Sequence, residues 1–334
     1  MNTLPKPILA IIISFSFTNR AVCRRWRDTV KYTFDDDDFD QICARGTVSV
    51  LRMFLAQYPA QNWKYGFKII SVNGNLDLLK FVRNKYSRYD YFVLKKACAH
   101  KQLHIVKYLI EKGAEVCNII IRHAYKGGCA EIIKIIHEHH NGISGDNIPF
   151  LALMGAAAGG HENPVMSLLE IYGKSVCGLY ALEAACKGGN LKIVLVLLKL
   201  DTSIDHINNG LYYACKKKRI EVVHFLIQNG ANDWNLGLDG ACESGCVELI
   251  QLMIQHGANN WNRGFKLACS SGQVKALQLM IQHGANEWEN GLFYACIYDK
   301  IDIVKELIHL CPNVDCVKIA RNHRSKKVLR FFNR

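Results

Sequence analysis

A repeat of about 27 residues runs through most of the chain and restricts its fold to an array of similar units. Small residues recur at spacings of 28, 27, 27, 33, 28, 29, 27, 27, 27 and 25, and nine of these eleven residues are alanine. Because alanine carries only a methyl group, this selection indicates a tight packing contact in every unit. We call the recurring residues the anchors: Ile42, Ile70, Ala97, Ala124, Ala157, Ala185, Ala214, Ala241, Ala268, Ala295 and Ala320.

Seven of the 14 cysteines stand directly after an anchor. A cysteine repeated at the same position of seven units is best explained as a small, buried, apolar side chain, and this argues against disulfides and redox chemistry. These cysteines are Cys43, Cys98, Cys186, Cys215, Cys242, Cys269 and Cys296.

The unit around Ala295 predicts a pair of helices. Gly291 begins a short first helix, which Asp299 and Lys300 close. Apolar residues at helical spacing then form one face of a second helix; they are Ile301, Ile303, Val304, Leu307 and Ile308. A pair of this size cannot cover its own apolar face, so neighbouring units must stack into a solenoid.

Glycine and histidine mark the end of the second helix in several units. A glycine lies eleven residues before four anchors, where it accepts the left-handed conformation that ends a helix; these are Gly113, Gly230, Gly257 and Gly284. His256 and His283 come just before, where a polar ring suits the helix dipole. Four of the five tryptophans lie seven residues before an anchor: Trp63, Trp234, Trp261 and Trp288.

The repeat pattern G-L-x-x-A-C-x-x-G-x-x-E-[LV]-[IV]-x-x-L-I-x-x-G-A-N resembles the ankyrin repeat, over residues 39–334. The resemblance implies an all-α, ankyrin-type helix–turn–helix solenoid of about eleven units, the last of them a cap. Ankyrin units usually have about 33 residues and open on Thr-Pro-Leu-His. Units here are shorter and lack that run, so we expect short loops. Short units of this kind are similar to those of large DNA viruses, especially viruses of amoebae, which implies a host-interaction role.

The first 34 residues break the repeat and resemble an F-box: an opening Leu-Pro, an apolar helix and a closing Val-Cys-Arg-Arg-Trp. That resemblance implies a small helical module that binds a Skp-type adaptor and, through it, a cullin–RING ubiquitin ligase. Residues 35–38, four aspartates, are expected to form an acidic linker. Compared with an F-box, about five residues are missing after Phe17, and Pro7 replaces an acidic residue. The matching positions are Leu4, Pro5, Ile8, Ile12, Val22, Cys23 and Trp26.

Positive charge is concentrated at the two ends of the chain. Of the net charge of +13, residues 1–34 supply +5 and residues 317–334 supply +7. The middle is nearly neutral, and this argues against a nucleic-acid groove, which needs cations along a binding face. The C-terminal charge suits the polar outer face of a capping repeat better than a nuclear signal.

One apolar run, residues 8–17, is too short to span a membrane, and no convincing cleavage site for a signal peptide follows it. We therefore expect a cytoplasmic monomer without a membrane anchor, with a nuclear location left open.

No motif in the chain predicts catalysis. Gly173-Lys174-Ser175 resembles the end of a phosphate loop, but Leu168 stands where the loop needs its first glycine. His137 and His140 share a helical spacing, yet nothing nearby completes a set of zinc ligands. We therefore expect no enzyme activity, no cofactor and no metal.

The sequence predicts a protein-interaction protein. One hypothesis is a substrate adaptor for a cullin–RING ubiquitin ligase, and the alternative is a pure ankyrin scaffold whose N-terminus only caps the first repeat. Solenoids bind through exposed first-helix and loop positions that vary between units. The candidate target-binding residues are Tyr212, Tyr213, Lys216, Lys217, Asp239, Glu243, Lys266, Ser270, Phe293 and Tyr298.

Overall fold

The computed structural model describes residues 38–57, 63–86, 89–139, 148–173, 179–200 and 203–332. Within these ranges the secondary structure is helical, with twenty-two α-helices arranged as eleven consecutive pairs. We number them so that odd helices are the first and even helices the second of each pair. The described residues divide into two compact units, one ending at Tyr89 and the other beginning at Asp90.

The unit that ends at Tyr89 contains two helix pairs packed around aromatic side chains. Phe39 stacks on Phe54, with ring centroids 5.7 Å apart, and meets Trp63 edge-on at 5.6 Å. Asp38, expected in the acidic linker, is the first residue of a helix, and residues 35–37 lie outside the described ranges. The helices are α1 (Asp38–Arg45), α2 (Val48–Gln57), α3 (Trp63–Asn73) and α4 (Leu76–Tyr86).

The unit that begins at Asp90 contains nine helix pairs. The first helices are α5 (Asp90–Ala99), α7 (Asn118–Gly127), α9 (Ile148–Gly159), α11 (Leu179–Gly188), α13 (Ile204–Lys216), α15 (Trp234–Ser244), α17 (Trp261–Ser271), α19 (Trp288–Ile297) and α21 (Cys316–His323). The second helices are α6 (Leu103–Glu111), α8 (Ala130–Glu138), α10 (Glu162–Tyr172), α12 (Leu191–Leu200), α14 (Ile220–Gln228), α16 (Val247–Gln255), α18 (Val274–Gln282), α20 (Ile301–Leu307) and α22 (Lys326–Phe332). The predicted all-α helix–turn–helix fold is confirmed.

Within each of the two compact units, successive first helices pack directly on one another, and the anchors are on these helices. Every anchor is buried, and the nine alanines are at most 1% exposed. The second helices add an apolar face to this core, as Ile303, Val304 and Leu307 of α20 do. The core of this unit therefore extends from pair to pair instead of closing around one centre.

The first helices begin earlier than the sequence analysis expects. The helix of the Ala295 unit begins at Trp288, three residues before Gly291. Trp234 and Trp261 are likewise the first residues of α15 and α17. A tryptophan seven residues before an anchor therefore marks the start of a first helix.

Four second helices end at the predicted glycines, which all have a positive φ: Gly113, Gly230, Gly257 and Gly284. Gly257 has a φ of 104°, its N–H donates to the Ile254 carbonyl (2.9 Å), and the Ala258 N–H donates to the Met253 carbonyl (3.0 Å). This pattern satisfies carbonyl groups that the helix end would otherwise leave unpaired. A side chain at this position would be strained, and this explains the recurrence of glycine.

Three asparagine side chains connect four successive units near the start of their first helices. The Asn235 Oδ1 accepts from the backbone N–H groups of Asn259 (2.9 Å) and Asn260 (3.0 Å), and its Nδ2 donates to the Asn259 Oδ1 (3.3 Å). Asn208 and Asn262 make the same three bonds to the unit that follows each of them. We call these three residues the asparagine ladder.

We expect Asn235→Ala to lower the free energy of unfolding by about 1–2 kcal/mol, because three hydrogen bonds between units are lost at once. Asn290→Ala is the matched control, since the Asn290 side chain bonds only Glu287 of its own unit. Urea unfolding of both variants measures the difference. Equal losses in the two variants would show that the ladder adds nothing specific.

Candidate protein-binding surface

Side chains from neighbouring first helices meet on the side of the array that we call the first-helix face. It comprises the residues from five positions before each anchor to three positions after it. Residues in that range that are buried in the core are left out. Long side chains at these positions reach the adjacent helix because the anchors hold the helices close together. Four of the candidate target-binding residues come together here in one network.

Tyr212 is the centre of this network, which joins α11, α13 and α15. Its hydroxyl donates to the Glu243 Oε1 (2.6 Å) and accepts from the Lys216 Nζ (3.0 Å). Lys216 also forms an ion pair with Glu243. The Tyr213 ring meets the Tyr212 ring edge-on at 4.8 Å. These contacts hold the two tyrosines and the two charged groups in one arrangement.

Lys187 and Glu183 of α11 extend the same network. The Lys187 Nζ lies 3.4 Å from the centroid of the Tyr213 ring, a cation–π contact, and 3.8 Å from the Glu183 carboxylate. Burial raises the pKa of Glu183, although Lys187 opposes that shift. We call the whole group the tyrosine cluster: Glu183, Lys187, Tyr212, Tyr213, Lys216 and Glu243.

Burial and hydrogen bonding change the protonation behaviour of the tyrosine cluster. The pKa of the Tyr212 hydroxyl is raised by burial and by its bond to Glu243. Burial alone would lower the pKa of Lys216, but its bonds to Glu243 and Tyr212 more than compensate and raise it. Lys216 therefore stays a cation and Tyr212 a neutral donor at neutral pH.

Asp239 of α15 is buried and forms an ion pair with Arg263 of α17. Its other oxygen, Oδ1, has no hydrogen-bond partner among the described residues. Burial raises the pKa of this carboxyl group, and Arg263 partly offsets the rise. A cavity of about 220 Å³ lies beside the pair, and Asn235 and Asn260 also line it. Asp239 is therefore a buried residue that holds Arg263 in place through the ion pair, and it is not a residue that a target would contact directly.

The predicted residues of α19 form an exposed aromatic group. Phe293 and Tyr298 are 41% and 55% exposed, and both contact the Tyr294 ring between them. The Lys266 Nζ of α17 lies 4.3 Å from the centroid of the Tyr294 ring. Exposed aromatic side chains with a cation beside them are typical of protein-binding surfaces.

Two predicted residues lie apart from these groups. The Ser270 hydroxyl donates to the Leu267 carbonyl of its own helix (3.0 Å). The backbone N–H of Lys217 bonds the Tyr213 carbonyl at the end of α13, and its side chain is exposed. Neither side chain contacts the tyrosine cluster through a hydrogen bond or an ion pair.

Four residues of this surface are absent from the sequence-based set: Glu183, Lys187, Arg263 and Tyr294. A signal for three of them exists in the repeat. Tyr294 stands one residue before Ala295, which is the position of Tyr213 relative to Ala214. Glu183 and Lys187 stand two residues before and two after Ala185, which are the positions of Tyr212 and Lys216 relative to Ala214. Applying one register to every unit would have found them.

The F-box-like positions lie outside the described residues, so adaptor binding stays a prediction from the sequence. They are Leu4, Pro5, Ile8, Ile12, Val22, Cys23 and Trp26.

The cysteines that follow the anchors are buried free thiols. Burial raises the pKa of Cys98, Cys186 and Cys215 to about 12, so these thiols stay protonated. A protonated, buried thiol is a poor nucleophile and a poor metal ligand. The structure thus gives these cysteines the packing role that the repeat predicts.

The described ranges contain neither a metal site nor a membrane-spanning helix. No three His, Cys, Asp or Glu side chains there converge as a metal site requires. His137 instead contacts Tyr125, with its Nε2 3.3 Å from the hydroxyl, and His140 is outside the described ranges. None of the described helices is both long and apolar enough to cross a membrane.

Three cations surround His123 on α7. Burial is the main cause that lowers the pKa of this imidazole to about 4, and Lys95, Arg122 and Lys126 lower it further. Its Nδ1 lies 2.8 Å from the Ile119 carbonyl oxygen and therefore donates the ring proton to it. The imidazole is neutral at physiological pH.

The described residues form a helical repeat array, which presents side chains from successive first helices on one face. Residues 120–237 match the family model described as ankyrin repeats, in three copies. Over this stretch the chain is similar to ankyrin repeats, and repeats of that kind indicate protein–protein interaction.

The crystal structure of the human ASB11 ankyrin repeat domain aligns with 58% of this chain and 98% of its own length, at 24% identity and a TM-score of 0.37. No curated protein matches the sequence.

We expect His123 to make the folded chain less stable in acid. Between pH 6.5 and 4 the unfolded chain binds a proton that the folded imidazole does not, so the free energy of unfolding falls as the pH falls. The loss should be about 1–2 kcal/mol once partial exposure is allowed for, and His123→Gln should remove it. Urea unfolding at several pH values measures it, with His224→Gln on the exposed side of α14 as control. An unchanged pH profile in His123→Gln would contradict the assignment.

Proposed function

We propose that this chain is a non-catalytic adaptor that captures a protein target on the first-helix face of α11–α19. The observation that carries the proposal is the tyrosine cluster, in which side chains from three successive units are linked before any target arrives. The exposed aromatic group of α19 lies farther along the same run of first helices. A target can therefore contact several units at once.

The chemistry of this surface suits a protein partner. Tyrosine and phenylalanine give large contact areas at a small cost in side-chain entropy, and they are enriched among residues that dominate binding energies. The bonds between Tyr212, Lys216 and Glu243 hold these side chains in place beforehand, so less ordering is needed on binding. Pre-organised aromatic contacts with adjacent charges favour a specific protein target.

We further propose that the N-terminal segment carries the captured target to a Skp-type adaptor and cullin in the cytoplasm. The support for this step is sequence alone: an opening Leu4-Pro5 and a closing Val22 to Trp26 around an apolar stretch. The target would then be ubiquitinated by the associated ligase. The short repeat units are similar to those of large DNA viruses, and this similarity supports the proposal of a viral protein that acts on host targets in this way.

The alternative is a scaffold whose N-terminal segment only covers the first repeat. Trp26 and Val22 would then be packed within the chain instead of contacting an adaptor. Deletion of residues 1–34 separates the two: loss of cooperative unfolding favours the cap, and intact unfolding with loss of the adaptor favours recruitment.

We expect the double variant Phe293→Ala/Tyr298→Ala to lose a protein that the unchanged chain recovers from eukaryotic lysate, because it removes exposed aromatic area without touching the core. Ile171→Ala/Leu195→Ala is the matched control, since both side chains are exposed on second helices. Quantitative mass spectrometry after affinity purification compares the recovered proteins. Recovery that depends on the control pair, and not on the α19 pair, would place the target elsewhere.

We expect the unchanged chain to recover a Skp-type adaptor and a cullin, and Val22→Ala/Trp26→Ala to abolish both recoveries. Immunoblotting of the same affinity purifications is the measurement. Phe293→Ala/Tyr298→Ala serves as the control, because it should lose the target and keep the adaptor. If the intact chain recovers neither adaptor nor cullin, the recruitment step is wrong and the scaffold alternative stands.

A further inference from the structure

The charges of the units around α5–α10 are separated between the two kinds of helix. On the first helices α5, α7 and α9 the one described acidic residue is Asp90, at the start of α5. Between residues 91 and 173 the described acidic residues are on second helices or the hairpins after them: Glu111, Glu115, Glu131, Glu138, Glu162 and Glu170. The first helices α5 and α7 carry Lys95, Lys96, Arg122 and Lys126. The first-helix face is therefore positive here although the stretch as a whole is nearly neutral.

Three side chains lie close to these cations: His123, His100 and Tyr91. Lys95, Arg122 and Lys126 all lie near enough to His123 to lower its pKa, after burial as the main cause. Lys96 and Lys126 likewise add to the effect of burial on His100. The Lys95 ammonium lies 5.7 Å from the Tyr91 ring centroid, and no ion pair joins Lys95, Arg122 or Lys126 to a carboxylate within the described ranges.

The positive region continues across α9 to Lys187. Burial lowers the pKa of Lys187, and Arg122, two first helices away, contributes to that shift even though Glu183 opposes it. In the C-terminal half of α9, between these two cations, the residues that are not buried are Ala158 and Gly159, which have no side chain larger than a methyl group. We call Lys95, Arg122, Lys126 and Lys187 the basic patch.

We propose that the basic patch receives an acidic segment of the partner protein, a stretch with several Asp or Glu side chains laid across α9. This inference rests on the proposed function, because it describes one part of the captured target. Adjacent packed helices are roughly 10 Å apart, so α5 to α11 spans about 30 Å, or roughly nine residues of extended chain. Such a segment supplies the carboxylates that the three unpaired cations lack.

A protein segment fits this face better than a nucleic acid does. Beyond Lys187 two cations are already paired, Lys216 with Glu243 and Arg263 with Asp239, so a phosphate backbone that continues along the array gains little there. A protein can place acidic residues on the basic patch and apolar or basic residues on the tyrosine cluster. Charge complementarity of this kind selects the partner and its orientation.

The test uses the full chain and a fluorescein-labelled peptide of about ten alternating Asp and Glu residues. We expect saturable binding by fluorescence anisotropy, weaker at high salt, and about tenfold weaker binding by Arg122→Glu/Lys126→Glu, since two contacts become repulsive. Lys107→Glu/Lys134→Glu changes the net charge equally on α6 and α8 and should stay within about twofold. Circular dichroism melting checks that both variants are folded.

His123 gives a second readout inside the patch. A bound anionic peptide favours the imidazolium, so the pKa of His123 measured by NMR should rise when the peptide saturates the chain. The His123→Gln variant identifies the signal. A structural role of the cations alone would leave this pKa unchanged by peptide.

Three results would overturn the proposal. The first is equal weakening by the two double variants, which would mean that the peptide senses only net charge. The second is no binding by the full chain. The third is tighter binding of labelled oligo(dT) than of the peptide through Arg122 and Lys126. None of these depends on a cellular target, so a failure here is distinct from a failure of target capture by the aromatic group of α19.

Discussion

The close contact between successive first helices at the anchors is the constraint on which the rest of this structure depends. An alanine at the anchor and a cysteine after it leave no room for a larger side chain at most of these contacts. A methyl group added at Gly127 would meet the Cys98 carbonyl, and one added at Gly188 would meet the carbonyls of the preceding unit. Interiors packed this tightly do not adapt to an extra side chain without shifting whole helices.

This spacing is also what creates the surfaces. Because the backbones of first helices lie so close, a lysine or tyrosine two residues from one anchor reaches its counterpart in the next unit. The bond between Tyr212 and Glu243 and the contact between Lys266 and Tyr294 both cross from one unit to the next. Wider spacing would leave these side chains isolated in water, where exposed pairs add little.

The sequence repeat predicts the helices well because the same pattern recurs along the chain. It consists of a small anchor, an apolar second helix and, in several units, a glycine after that helix. The repeat does not predict contacts between side chains whose types do not suggest that they interact. His256 stacks on Trp234 at 4.4 Å and His283 on Trp261 at 4.9 Å, where the sequence suggests only a favourable dipole. The asparagine ladder is hidden for the same reason, since a polar residue at a helix start has many local uses. The tyrosine cluster was predicted only in part, because the residues were chosen unit by unit and not at one shared register.

The distribution of charge along the sequence differs clearly from its distribution over the folded surface. Summed along the sequence, the middle of the chain is nearly neutral, and this led us to expect no basic surface there. Two helices per unit alternate every dozen residues or so, and any sum over a longer window averages the two faces. Lys95 and Glu111 cancel in such a sum although they lie on a first and a second helix. In a helical array the informative sum is therefore taken over the first helices alone, and on that count α5 and α7 are positive, whereas the second helices α8 and α10 are negative.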